Sequence, residues 1–103
     1  MSQKPGPTAE QRLLLSEVEL GVAVEQFARS TVGKYLIDRS KGEAEDAIER
    51  LKTADPDNAK LIRDLQNEIW RAETFEKYLT DAILGGRNAE EQLIHTDVQP
   101  DGD

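Results

Sequence analysis

The sequence predicts an all-α protein, a long antiparallel helical hairpin with a short third helix and disordered termini. Three observations support this fold class. Apolar residues recur every three or four positions along most of the chain, which is the period of a helix. A polar segment with a proline, "TADPDN" at residues 53–58, interrupts the pattern near the middle of the chain. A glycine pair, "GG" at residues 85–86, interrupts it again.

The first helix is predicted over residues 9–53. Thr8, followed by Gln11 three positions later, forms a capping-box pattern directly before the apolar residues begin. Interior glycines in this stretch each weaken a helix by about 1 kcal/mol relative to alanine. The sequence "DRSKGEAED" around Ser40 is the place where a kink or a break fits best. One long, bent helix is favoured over two separate helices.

The segment between the first two helices has two interpretations. Asp55, Asp57 and Asn58 lie close together and could begin an oxygen-rich metal loop. A calcium loop of the EF-hand type, however, requires glycine at its sixth position and glutamate at its twelfth. Counted from Asp55, these positions hold Lys60 and Gln66, so the segment is interpreted as a turn between helices.

The second helix is predicted over residues 56–84. Pro56 suits the first helical position because its φ is fixed and it has no N–H to leave unpaired. Asp55, directly before this proline, is the predicted N-cap. A turn this short makes the two helices antiparallel. The apolar stripe facing the first helix holds Leu61, Ile62, Leu65, Ile69, Ala72, Phe75, Leu79, Ala82 and Ile83.

The glycine pair at residues 85–86 is predicted to end the second helix, since glycine readily adopts the left-handed conformation found at helix C-termini. Asn88 then caps a short third helix that carries Leu93 and Ile94. The helical domain is therefore predicted over residues 8–95, between disordered termini at residues 1–7 and 96–103.

The composition fits one small domain with little apolar material. The chain has 103 residues, 37% of them hydrophobic, and no cysteine, which excludes disulfides and thiolate ligands. The net charge is −8, and half of it lies in residues 87–103. No basic stripe of the kind that binds nucleic acid occurs. No apolar run approaches the about 20 residues that cross a bilayer, and the first residues lack the apolar core of a signal peptide. We therefore expect a soluble, intracellular protein without nucleic-acid or membrane partners.

No residue is predicted to be catalytic or to bind a metal or a cofactor. His95 and Glu91 lie one turn apart, but two ligands without further partners make a weak metal site. A solvent-exposed histidine near a helix end is the favoured interpretation. Acidic pairs such as Glu17 and Glu19 are interpreted as solvated helix faces, because a helical hairpin offers no obvious pocket in which carboxylates converge.

The predicted helices differ in length, about 65 Å for the first and about 43 Å for the second. The N-terminal part of the first helix, which extends beyond the second helix, carries apolar residues that the second helix cannot cover. Exposed apolar patches of this kind usually mark interaction sites. We therefore predict self-association through Leu13, Leu14, Leu15, Val18 and Leu20. Three aromatic residues lie beside the apolar stripes and either widen the core or anchor a protein interface. They are Tyr35, Trp70 and Tyr78.

Residues 27–93 resemble a family of small helical proteins of tailed bacteriophages and prophages. The resemblance lies in "FARSTVGKYLIDRSKGEAEDAIERLKTADPDN" and "IRDLQNEIWRAETFEKYLTDAILGGRNAEEQL", and within them in the order "LKTADPD", "LQNEI" and "AILGG". It implies an accessory or structural role, without enzymatic activity, in a phage or prophage. No catalytic residue is carried over with it.

The expected function is that of a self-associating helical module for protein–protein interaction, acting in phage particle assembly in the host cytoplasm or in the virion. The alternative is an acidic regulator or inhibitor that binds a host or phage protein. A defined oligomer would favour the first hypothesis, and a monomer would undercut it.

Overall fold

The computed structural model describes residues 6–97, and it describes side chains as far as His95. In this part of the chain 89% of the residues are helical and none lies in a strand. The helices are α1 (Ala9–Arg29), α2 (Thr31–Lys52) and α3 (Ala59–Asp97). The predicted all-α hairpin is confirmed. Thr96 and Asp97, assigned by prediction to the disordered tail, are helical, and the remaining tail residues and residues 1–5 lie outside the described range.

Helix α1 begins with the predicted capping box. The Thr8 N–H donates to Gln11 Oε1 at 2.9 Å, and the Gln11 N–H donates back to Thr8 Oγ1 at 3.1 Å. The carbonyl of Thr8 accepts the first intrahelical hydrogen bond, from the Arg12 N–H. Two backbone donors that a helix start leaves unpaired are thus satisfied by side chains.

The predicted long first helix is broken at Ser30 and not near Ser40. The Ser30 backbone is extended (φ −72°, ψ 159°), and its Oγ accepts from the Gly33 N–H at 2.9 Å, which makes it the N-cap of α2. The same hydroxyl donates to the Phe27 carbonyl in the last turn of α1. Ser30 therefore serves both helix ends with one hydroxyl group, and α2 continues without a break through Ser40.

Gly33 is the residue that makes this break possible. A Cβ at this position would lie 1.6 Å from the carbonyl oxygen of Phe27, which is backbone and cannot rotate away. Gly42, also inside α2, differs, because a Cβ there would meet no atom within 4 Å. The two glycines thus look alike in the sequence, but only Gly33 is required by the packing.

The turn between α2 and α3 corrects the predicted cap. Asp55 caps no helix: its Oδ1 accepts from the Asp57 N–H at 2.9 Å, and its carbonyl accepts from the Asn58 N–H at 2.9 Å. These bonds close a turn with Pro56 at the second position, which proline favours. Asn58 is the N-cap of α3, because its Oδ1 accepts from the Leu61 N–H at 3.2 Å.

The predicted helix end at Gly85–Gly86 is wrong. None of the described glycines has a positive φ, and α3 continues through the pair to Asp97. The predicted short third helix, with its cap at Asn88, is therefore the C-terminal part of α3. At 1.5 Å per residue, the 39 residues of α3 span about 58 Å, where about 43 Å was predicted.

The chain divides into two compact units. Unit 1 contains Met1–Glu25 and Asp81–Asp103, and unit 2 contains Gln26–Thr80. In unit 2, α2 and the first half of α3 pack antiparallel around Ala47, Leu65 and Ala72, all of them buried. In unit 1, Ala89 is fully buried.

Candidate protein-interaction surfaces

The helices of unit 1 touch at two glycines. A Cβ at Gly86 would lie 2.9 Å from the Cα of Gly21 and 3.0 Å from the carbonyl oxygen of Glu17. A Cβ at Gly21 would lie 3.0 Å from the carbonyl oxygen of Ala82. Backbone faces backbone at this crossing, so both positions need a residue without a side chain. This contact explains why Gly86 is glycine although it lies inside a helix.

An ion pair beside the glycine contact fixes the register of α1 against α3. Glu25 Oε1 accepts from Arg87 Nη2 at 2.8 Å and from Arg87 Nε at 3.1 Å. Glu25 is the better shielded partner, with 28% of its side chain exposed against 65% for Arg87. Pairs this exposed are typically worth up to about 1 kcal/mol, so the bond specifies alignment more than it adds stability.

The five residues predicted as an N-terminal interaction surface divide into two groups. Leu14 and Val18 are half-buried, and Val18 lines a small cleft with Ile83 and Gly86. Leu13, Leu15 and Leu20 are exposed, by 67%, 44% and 57%. The length argument behind the prediction fails, because α3 extends past the predicted end of the second helix, and it contacts α1 at Glu17, Gly21 and Glu25.

The exposed residues of α1 lie on two faces. Leu13 and Leu20, seven positions apart, share one face of the helix. Leu15 and Val22, also seven apart, share another, and Val22 is 49% exposed. Gly21, where α1 contacts α3, lies between these two faces. Helix α1 therefore presents apolar side chains on either side of its contact with α3. That they bind a partner stays a prediction.

Unit 2 carries an open groove of about 690 Å³ along one side of the α2–α3 pair. Its apolar part is formed by Leu36, Ala72 and Phe75. The polar side chains that line it carry both signs of charge, and they are Arg39, Ser40, Glu43, Asp46, Glu68 and Arg71. The apolar part with a charged rim is typical of a protein-binding surface.

One hydrogen bond shows which residues of α2 and α3 lie at the same level along the groove. The Ser40 hydroxyl donates a long hydrogen bond, 3.4 Å, to the carbonyl of Ala72, so these two residues lie at the same level. Because the helices are antiparallel, residues after Ser40 lie level with residues before Ala72, at about 1.5 Å per residue. Toward the turn, the lining side chains then come in the order apolar (Leu36, Phe75), basic (Arg39, Arg71) and acidic (Glu43, Glu68, Asp46).

The groove charges differ in how well they are paired within the chain. Arg39 donates from Nη1 to the Tyr35 hydroxyl at 3.0 Å and from Nε to Glu43 at 3.3 Å. The Tyr35 bond first, and the Glu43 bond second, raise the pKa of the Arg39 guanidinium above its ordinary value. The side chains of Arg71 and of the half-buried Glu68 make no hydrogen bond or ion pair with another residue of the described range.

The three aromatic residues singled out by the sequence are all on the surface. Tyr35, Trp70 and Tyr78 expose 58%, 64% and 67% of their areas. They therefore do not widen the buried core, which was one of the two interpretations of these residues. The other interpretation, that they anchor a protein interface, stays a prediction.

The chemistry of the remaining side chains is sparse in the part of the chain that the structure describes. His95 lies 3.7 Å from Glu91, with both side chains exposed. No group of three or more histidine, aspartate or glutamate side chains between residues 6 and 95 is arranged to hold a metal ion. None of the helices α1 to α3, over their described lengths, combines the length and the apolar character that crossing a membrane demands.

Comparisons with models of protein families, with curated proteins and with solved structures give no significant match. The resemblance of residues 27–93 to phage proteins therefore stays a prediction. The surfaces described above rest on geometry and charge alone. Sequence reasoning missed the glycine contact, the Glu25–Arg87 pair and the groove, because it interpreted Gly86 as part of a helix end.

Proposed function

We propose that this protein is a helical module for protein–protein interaction that associates with further copies of itself, and that it has no enzymatic activity. One observation carries the proposal. Among the described residues, Leu65 is the only large side chain that is fully buried. Twelve large hydrophobic residues of the same range are exposed, namely Leu13, Leu15, Leu20, Val22, Val32, Tyr35, Leu36, Ile48, Trp70, Tyr78, Leu84 and Ile94.

The energetics of so small a core favour association. Fully burying a large apolar side chain is worth about 1.5–3 kcal/mol relative to leaving it exposed. Association itself costs about 4–15 kcal/mol in lost translational and rotational freedom. The twelve side chains are already partly buried, with exposures of 39–67%, so each contributes about half of this value. Burial of about eight of them on each copy would contribute about 12–24 kcal/mol, which exceeds most of the range of this cost. Association then stabilises the folded chain, so its free energy of unfolding depends on the protein concentration.

The charge distribution supports a second copy as the partner. Residues 6–97 carry 19 acidic and 12 basic side chains, so the helical body mixes both signs but has a net charge of −7, and two copies can meet only where opposite charges face one another. The groove in unit 2 holds basic and acidic side chains in separate groups. Such a surface can complement itself, as the interfaces of two-fold symmetric oligomers do. On the resemblance of residues 27–93 to phage proteins, we extend the proposal to the assembly of phage particles.

Thermal unfolding at several protein concentrations tests the proposal. If copies associate, the melting temperature followed by circular dichroism rises with concentration, by several degrees between about 2 and 200 μM, because only the folded chain binds. Added salt screens the charged contacts but leaves the apolar contribution. A melting temperature that does not change across this range contradicts self-association.

A further inference from the structure

We propose that the groove of unit 2 is the contact between copies, and that two grooves meet face to face in antiparallel orientation around a two-fold axis. This inference rests on the proposed self-association and names its surface and geometry. The occupant is a second copy of this chain. The order of the charges along the groove carries the argument.

The charges are ordered so that a two-fold rotation exchanges them. The basic group lies level with Ser40, and the acidic group lies about 4–9 Å nearer the turn, at 1.5 Å per residue. We consider a two-fold axis that crosses the groove at right angles to the helices, between the two groups and at the level of residue 42. Rotation about this axis brings Arg39 of one copy level with Asp46 of the other. The same rotation brings Arg71 level with Glu43 and Glu68. Each pairing occurs twice, because the contact is symmetric.

The other simple arrangement fails on the same charges. If the two copies were parallel, with the axis along the helices, each level of the groove would face the identical level of the other copy. Arg39 of one copy would then face Arg71 of the other, and Glu43 would face Glu68. Like charges held opposite one another are unfavourable, so the charge order selects the antiparallel arrangement.

Two charged side chains of the groove have no ion pair with the described part of their own chain. Glu68 is half-buried in the wall of the groove, and with Arg71 it lacks an ion pair to any residue of the described range. A carboxylate partly removed from water without a counter-charge is unfavourable. In the antiparallel arrangement Glu68 of each copy lies level with the Arg71 guanidinium of the other, while Leu36 and Phe75 lie beyond the acidic group of the other copy.

The proposal is tested by reversing the charges in complementary sets. One variant combines Arg39→Glu with Arg71→Glu, and a second combines Glu43→Lys with Glu68→Lys. Each variant makes its groove mostly one sign, so each is expected to self-associate at least about tenfold more weakly than the wild type. An equimolar mixture of the two is expected to recover the association, because an acidic groove then meets a basic one. Sedimentation velocity of the full chains measures all three samples.

The matched control combines Lys34→Glu with Arg63→Glu. Both residues are exposed in unit 2 and neither lines the groove, and the change in net charge equals that of the Arg39 and Arg71 variant. The control is expected to associate like the wild type. If a reversed variant loses its helical circular dichroism, Arg39→Gln with Arg71→Gln replaces it, with a smaller expected weakening.

The outcomes separate the two proposals. The groove contact is overturned if the wild type associates and the reversed variants associate equally well. It is also overturned if the mixture associates no better than its components. Both results leave self-association standing. A monomeric wild type overturns self-association itself. Loss of association in both reversed variants, recovery in the mixture and an unaffected control together support the antiparallel groove contact.

Discussion

Alanine substitution at the two neighbouring glycines of α3 is expected to have opposite effects on stability. Both lie inside a helix, where alanine is favoured over glycine by about 1 kcal/mol. At Gly85 a Cβ would meet no atom within 4 Å, so the full gain is expected. At Gly86 the Cβ would lie 2.9 Å from the Cα of Gly21 and 3.0 Å from the Glu17 carbonyl oxygen. Both neighbours are backbone, so α1 must move away.

The difference between the two variants isolates the packing cost. Overpacking of this kind costs about 1–3 kcal/mol, and the gain in helix propensity is common to both variants and cancels. Gly86→Ala is therefore expected to be less stable than Gly85→Ala by about 1–3 kcal/mol. For a domain of this size, each 1 kcal/mol corresponds to about 4–8 °C in melting temperature. Thermal unfolding at one fixed protein concentration measures the difference.

One result would refute this reasoning. If the glycine pair ended the helix in the left-handed conformation, alanine at Gly85 would be strained and the variant would lose stability. A Gly85→Ala variant that melts below the wild type contradicts the continuous α3. A Gly86→Ala variant as stable as Gly85→Ala contradicts the close contact with Gly21.

Three further predictions concern the helix junction, the turn and α1. Gly33→Ala is expected to cost at least about 2 kcal/mol in urea unfolding, because the added methyl group overlaps a backbone carbonyl. Asn58→Ala is expected to cost about 1 kcal/mol and Asp55→Ala less, since only Asn58 caps α3. Leu13→Glu combined with Leu20→Glu is expected to leave the helical circular dichroism intact, since both side chains are exposed, and to lower the mass in light scattering if this face binds a second copy.

These predictions have matched controls and clear counter-results. Gly42→Ala, in the same helix as Gly33 but with open space around it, is expected to gain about 1 kcal/mol. If Asp55→Ala lowered the free energy of unfolding more than Asn58→Ala does, Asp55 and not Asn58 would be the N-cap of α3. Unchanged mass for the Leu13 and Leu20 double variant would remove this face of α1 from the interaction surface.

Local patterns in the sequence predicted the features whose causes are local. The capping box at Thr8 needs only two side chains three residues apart, and the structure contains both of its hydrogen bonds. The antiparallel pairing follows from the short turn, and Leu65 and Ala72 of the predicted stripe are buried. Helical periodicity was also sufficient for the all-α fold class.

Two of the failures share one physical cause, which is that the backbone of another helix decided the outcome. The glycine pair in α3 carries the local signature of a helix end, but Gly86 is required where α1 crosses. Gly33 is required by the carbonyl of Phe27 in the preceding helix. At the turn, Asp55 and Asn58 are both good caps, and Pro56 is compatible with either, so composition alone does not choose between them.

The groove could not be predicted because its charge order depends on the register of two helices. Arg39 and Arg71 are far apart in the sequence, and so are Asp46 and Glu68. They form a basic and an acidic group only because Ser40 lies level with Ala72. The exposure of the aromatic residues likewise depends on the helix rotation that the buried Ala47, Leu65 and Ala72 impose.

Sedimentation equilibrium of the wild-type chain tests the central claim most directly. The account predicts a mass of at least twice that of one chain at micromolar concentration, with reversible dissociation on dilution. Between residues 6 and 95 the single copy fully buries one large side chain and exposes twelve, which makes it a poor folding unit. A single species with the mass of one chain from micromolar to millimolar concentration, with full helical circular dichroism, would contradict it.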